Sequence, residues 1–212
     1  MPDASTLALF LGATLALNVT PGPDMLYVIA RSGSEGRRAG IVSALGISTG
    51  GLVHTALVAA GLSRLLAAVP AAYDAVRFAG AAYLVYLGVR ALARPARGGD
   101  RAAVAPPPAS LGAIYRQGIL TNVLNPKVAL FFLAFLPQFV DARLGSAWAQ
   151  LVFLGVLFNV SGTIVNVVVA LAASGAADWA RRRATRSAAL LQRLTGALFI
   201  ALGVRLALAG RR

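Results

Sequence analysis

No cysteine occurs in the 212 residues, which excludes disulfides, thiol redox couples and cysteine metal sites. Histidine is almost as scarce, with His54 standing alone, and the acidic residues number only seven. Charged residues of every kind make up 13%, against roughly a quarter in a soluble domain. What is present instead is apolar, at 58% of the chain. Lipid is therefore the expected solvent.

The apolar residues come in runs, from about Leu7 to Ala30, Ile41 to Leu62, Phe78 to Val89, Ile114 to Val140, Trp148 to Ala173 and Ala188 to Ala209. Most can cross a hydrocarbon core of about 30 Å, which takes roughly 20 helical residues. The expected fold class is all-α integral membrane, with about six transmembrane helices. A five-span arrangement would make one segment re-entrant. The first run is read as a retained helix and not a signal peptide, because Asp3 and no Lys or Arg precedes it and no small-residue cleavage site follows.

The net charge of +13 would suggest nucleic acid on a soluble face, but here the arginines gather at the ends of the apolar runs, as membrane orientation requires. Loops one, three and five carry thirteen Lys and Arg, against six on the opposite side. The basic side stays in the cytoplasm by the positive-inside rule, so both termini are expected to be periplasmic.

Arg94 to Ser110 mixes Pro, Gly and charge and divides the chain nearly in half, as a linker does. The expected organisation is a first three-helix repeat over 1–93, a cytoplasmic linker over 94–110 and a second repeat over 111–212. Arg77, Gly80, Gly88, Val89 and Arg90 recur as Arg193, Gly196, Gly203, Val204 and Arg205 with one residue of slippage. Asn18 to Asp24 (NVTPGPD) is echoed by Asn122 to Lys127 (NVLNPK), again with one slip. Three spans per half make the second half enter from the opposite face, giving two inverted three-helix repeats.

The chemistry centres on prolines. Proline within a helix removes a backbone donor and clashes with the preceding turn, so Pro21 and Pro23 should break the first helix and Pro126 the fourth. Irregular backbone at lipid depth must be satisfied by protein or by a water-filled cavity. After each break a half-helix restarts with Pro23 or Pro126 in its first position and Gly22 or Asn125 as cap. Its free N–H groups and positive dipole end suit an anionic group such as a substrate carboxylate.

Asp24 and Lys127 follow the prolines and hold equivalent places. Each costs about 2.5 to 3.5 kcal/mol at a helix centre on insertion scales, so each should face a cavity or partner. Asp24 gains from its place in a first helical turn; Lys127, a cation at that end, does not. Helical rise sets the two about 10 Å apart in depth, so a direct ion pair between them is not expected. Either could meet the substrate, Asp24 its amino group or a transported proton, and Lys127 its carboxylate.

His54 sits mid-span, where it can serve a proton relay or a structural hydrogen bond. Asn18, Asn122, Asn125, Asn159 and Asn166 can bind substrate or join helices. Gly46 and Gly50 form a GxxxG pair for close packing, inside the chain or in a homodimer.

NVTPGPDMLYVIARS, GRRAG, SALGISTGGLVHTALVAAGL, GAAYLVYLGVRAL, RQGILTNVLNPKVALFFLAFLPQF and GALFIALGVRLAL, read together, closely resemble the LysE/RhtB family of amino-acid exporters. The resemblance spans nearly the whole chain. Its sharpest motifs are Thr20-Pro21-Gly22-Pro23-Asp24 and Asn122 with Asn125-Pro126-Lys127. It implies a bacterial cytoplasmic-membrane protein, not an enzyme and without cofactors, that expels amino acids or close derivatives under the proton gradient. Family substrates include lysine and arginine, homoserine and threonine, and leucine-like or cysteine-related compounds.

The expected mechanism is alternating access, with the broken helices holding substrate and a proton neutralising Asp24, or His54, on the return. A membrane redox subunit lacks the thiols and metal cluster it needs. An inorganic or metal-ion transporter of related plan would have only Asp24 as a deep carboxylate, which is thin for a divalent cation.

Overall fold

The computed structural model describes residues 2–62 and 108–175, together with 74–75, 78–79, 81–82, 85–86, 89, 92, 197, 200–201, 203–204 and 207–208. The linker up to residue 107 lies outside the described residues. So do Arg77, Gly80, Gly88, Arg90, Arg193, Gly196 and Arg205 of the internal match.

The described secondary structure is entirely helical. α1 covers Ala4–Val19, α2 Pro23–Glu35, α3 Arg37–Leu57, α4 Leu111–Val123, α5 Pro126–Leu130 and α6 Ala147–Gly175. Two helical stretches, Arg37–Gly61 and Ala147–Ser174, are long and apolar enough to cross a membrane alone. α1 with α2, and α4 with the helix from α5 to Phe139, pass the same test as pairs bent by 49° and 47°. Counting each bent pair as one span gives four among the described residues. The described residues of the third and sixth expected spans are helical as well. Gly203 packs against the Ala81 carbonyl and Val85, so these two stretches cross at close range.

A multi-pass membrane protein is the result, and its surface agrees. Val156, Val160, Ile164 and Val168 repeat every fourth residue of α6 and are 42 to 59% exposed. Such a stripe is stable against lipid and costly against water. With 29 residues, α6 is about 43 Å long and exceeds the hydrocarbon core.

Loop one is shorter than the charge pattern suggests. Arg31 to Arg38 was expected to form a connection, yet α2 runs on to Glu35 and α3 starts at Arg37, leaving Gly36 alone between them. Gly36 turns the chain with φ of +86°, a conformation open to glycine at little cost. Arg31 is thereby carried into the protein, 3% exposed.

α3 is the scaffold, packed against both α4 and α6. A Cβ on Gly46 would lie 2.3 Å from the Tyr115 carbonyl oxygen, and one on Gly50 2.7 Å from Asn122 Cβ. The GxxxG pair therefore seats α4 within the same chain. Beyond α5 the helix widens over Phe131–Phe135 and tightens over Leu136–Phe139. Pro137 has no N–H for the Leu133 carbonyl, which accounts for the irregularity. Phe131, Phe132, Phe135 and Phe139 meet Phe10 of α1 and Phe158 of α6 in an aromatic core, with ring centroids 4.9 to 6.2 Å apart.

Candidate functional site

The two breaks leave complementary defects. In α1 the Leu17 carbonyl would normally accept from the N–H four residues on, which is Pro21 and has none. Thr20 closes the turn instead, its N–H and Oγ1 both donating to the Ala16 carbonyl at 3.1 and 2.6 Å. In α4 the Asn122 carbonyl loses its donor to Pro126 in the same way. The Asn125 N–H donates to it at 2.9 Å, and His54 Nε2 from α3 at 3.2 Å. A carbonyl only accepts, so Nε2 carries the proton.

Each second half-helix starts with proline in its first turn. Gly22 precedes Pro23 as an extended cap residue with no side-chain bond. Asn125 caps α5 with its side-chain oxygen, accepting from the Lys127 N–H at 3.0 Å. Asp24 and Lys127 then each reach across to the other broken helix. Asp24 Oδ2 accepts from Asn122 Nδ2 at 2.9 Å. Lys127 Nζ donates to the Leu17 and Thr20 carbonyls, both at 3.0 Å.

These bonds resolve the expected misfit of Lys127. It lies in the first turn of its own half-helix, where a cation is disfavoured, but its ammonium sits at the C-terminal end of α1, where a cation is favoured. One of the oxygens it satisfies is the one that Pro21 leaves without a donor. Asp24 and Lys127 form no ion pair with each other among the described residues. Both are buried, at 8 and 7% exposure. Hydrogen bonds to charged groups contribute about 1.5 to 3 kcal/mol each, the scale needed to offset desolvation of an ion inside a protein.

Three buried polar atoms around this crossing have no hydrogen-bond partner: Asp24 Oδ1, Asn122 Oδ1 and Asn125 Nδ2. Two accept and one donates, so the site can take on a further cationic or protonated group and an anionic one.

The expected site residues do not all converge. Asp24, Asn122, Asn125, Lys127, Thr20 and His54 share one network, with Pro21, Gly22, Pro23 and Pro126 shaping its backbone. Asn18 turns away and donates to Ser161 Oγ on α6 at 3.1 Å. Asn159 donates to Thr55 Oγ1 at 3.2 Å and to the Gly155 carbonyl at 3.0 Å, tying α6 to α3. His54 stacks on Phe132 with centroids 5.5 Å apart. A cleft of about 520 Å³ between α3 and α6, lined by Ser48, Leu52, Asn159 and Thr163 among others, touches none of the charged residues. No group of three His, Asp or Glu among the described residues could hold a metal ion.

A second polar cluster escaped the sequence reading. The Arg31 guanidinium pairs with Glu35, donates to Gln117 Oε1 at 2.7 Å and lies 5.7 Å over the Tyr27 ring. Tyr27 Oη donates to the Ile114 carbonyl at 2.9 Å, and Glu35 Oε2 accepts from the Ala109 N–H at 3.0 Å. The spacing of Tyr27, Arg31 and Glu35 by four residues puts them on one helix face and was the available signal.

The LysE type translocator family model matches residues 15–210. An uncharacterized membrane protein of Pseudomonas aeruginosa is 34% identical over 192 residues, which cover 89% of this chain and 88% of that one. Leucine efflux proteins of Salmonella typhimurium and Salmonella typhi are 30% identical over 162 residues, 75% of this chain and 71% of theirs. No solved structure matches. With the family model covering nearly its whole length and its two broken helices crossing at one site, the chain belongs to the LysE type translocator family.

Proposed function

We propose that this protein exports a small L-amino acid, leucine-like before threonine-, homoserine- or lysine-like, across the bacterial cytoplasmic membrane by alternating access with proton antiport. The observation that carries this is the reciprocal bonding of the two broken helices: Asp24 to Asn122, and Lys127 to the end of α1. Substrate ammonium suits the acceptors at Asp24 and Asn122, and substrate carboxylate suits the Asn125 amide and the Lys127 cation. Similarity to leucine efflux proteins supports the neutral, branched choice.

Bends of 49° and 47° at matching sequence positions support two inverted repeats, 1–93 and 111–212, rocking about the crossing. The contacts of Tyr27 and Arg31 with Gln117 and Ile114 join α2 to α4 on the arginine-rich side, so they close the site toward the cytoplasm. Export then requires them to part, admit substrate and re-form before release to the periplasm. A proton entering from outside neutralises Asp24 on the return.

The test is counterflow in proteoliposomes with a labelled amino-acid panel run beside divalent-metal uptake. Leucine-like counterflow that Asp24→Asn and Lys127→Ala abolish is the expected result. Normal export by both variants, correctly inserted, would refute the site. Metal uptake without amino-acid counterflow would refute the substrate class.

A further inference from the structure

The Asp24–Asn122 bond uses half of each partner. Asn122 gives an N–H to Asp24 Oδ2, while Asp24 Oδ1 and Asn122 Oδ1 are both buried and without a hydrogen-bond partner. An ionised carboxylate only accepts, and the amide Nδ2 serves it. A carboxylic acid must also donate its O–H, and it then needs an acceptor at the same place. An amide side chain offers both. A half-turn of the Asn122 amide about its Cβ–Cγ bond presents Oδ1 where Nδ2 stands.

The surroundings hold Asn122 in place beside Asp24. The Asn122 carbonyl is held by His54 Nε2 and the Asn125 N–H, so its backbone is pinned. Asn122 is 3% exposed, and a Cβ at Gly50 would lie 2.7 Å from its Cβ, so its side chain is closely packed against α3. The ionisable groups of the network come from three elements: Asp24 on α2, His54 on α3 and Lys127 on α5. His54 Nε2 is engaged with the Asn122 carbonyl and Lys127 with the α1 carbonyls. α6 contributes the uncharged amides Asn159 and Asn166 to the buried interior.

We propose that Asn122 is the positioning residue for the proton on Asp24, donating Nδ2–H to the carboxylate and, after its amide turns over, accepting the carboxylic O–H at Oδ1. The inference rests on the reading of Asp24 as the proton carrier. The balance is simple: one proton binds the Asp24 carboxylate from the outer side, forming an O–H bond, and leaves as a proton to the inner side when that bond breaks. Neither residue changes redox state, and Asn122 gains and loses no proton.

Infrared difference spectroscopy of the purified full chain between acid and alkaline pH tests this without any substrate. The wild type should show a protonated carboxyl C=O band that Asp24→Asn removes. In Asn122→Leu, similar in shape but with neither donor nor acceptor, the band should move to higher wavenumber, as for an acid without an O–H acceptor. Asn122→Ser, which donates and accepts, should bring it back toward the wild-type position. In proteoliposomes, leucine transport driven by a pH gradient should fall about tenfold or more in Asn122→Leu, the scale of one hydrogen bond to a charged group, and Asn122→Ser should recover part of it. Asn122→Ala serves in place of the leucine variant should that one fail to insert.

No Asp24 band at any pH would overturn the proton-carrier reading, and this inference with it. An Asp24 band unmoved in Asn122→Leu, or one moved equally in Asn122→Ser, would overturn the role of Asn122 alone.

Discussion

The Lys127 ammonium lies 3.0 Å from the carbonyl oxygen of Thr20, at the end of a helix from the opposite half of the chain. With its second bond, to Leu17, it repairs what Pro21 removes from α1. Lys127→Met should therefore do more than abolish transport. It leaves buried carbonyls without donors, at about 1 to 3 kcal/mol each, partly offset because no charge is then buried. The expected result is a protein that inserts but melts earlier in detergent, with α1 exchanging its terminal amides faster. An unchanged melting temperature would show that Lys127 serves substrate alone.

The α3–α4 contact makes a graded prediction. Gly46→Ala and Gly50→Ala place a methyl against backbone and side chain at 2.3 and 2.7 Å, closer than real Cβ contacts come. Overpacking of this kind costs about 1 to 3 kcal/mol. Gly12 of α1 has nothing within 4 Å of the added carbon, so Gly12→Ala should be neutral or stabilise by up to about 1 kcal/mol through helix propensity. Gly50→Ala should in addition lose transport, since it displaces Asn122. Thermal unfolding and counterflow on the three variants check the order.

How far these features could be read in advance depends on their range in sequence. Proline acts on the carbonyl four residues back, so both breaks and their caps at Gly22 and Asn125 follow from local chemistry. Where Lys127 would find its acceptors did not follow, because that depends on how two bent helices cross. A lysine in a first helical turn looks misplaced until the other helix is there. Arg31 failed for a different reason: arginine at the end of an apolar run marks the membrane edge. Its burial follows from Gly36 reversing the chain in one residue and from Gln117, 86 positions away, supplying the acceptor. Asn18 shows the converse: it stands where Asn122 does in the echoed segment, yet its side chain bonds α6.

At the exposed start of α1, Asp3 predicts a pH dependence of known sign. Its Oδ1 accepts from the Thr6 N–H and the Ser5 hydroxyl, both at 2.7 Å. The backbone bond from Thr6, before the hydroxyl bond, holds the Asp3 carboxyl below its ordinary value of 3.8. A group with a lowered folded value stabilises above its unfolded value and loses that contribution as pH falls through the folded one. The cap should therefore persist from neutral pH down to the ordinary carboxylate range and fail below it. Amide exchange at Thr6 should accelerate there, and Asp3→Ala should exchange fast at every pH.

The last prediction concerns the α2–α4 cluster as a gate. Arg31 is almost fully buried, and Gln117 Oε1 accepts from it and lies 3.3 Å from Tyr27 Oη. Drawing α2 from α4 must either rehydrate the guanidinium or leave it short of acceptors, which sets a barrier that substrate binding has to offset. Because the chain has no cysteine, a Tyr27→Cys, Gln117→Cys double variant carries the sole thiols of the protein. A short, reducible bis-thiol cross-linker across them should stop leucine export in inverted vesicles, and reduction should restore it. Neither single variant should respond to the reagent. Export that continues at complete cross-linking would mean that α2 and α4 stay together through the cycle, and that the path from the cytoplasm opens elsewhere.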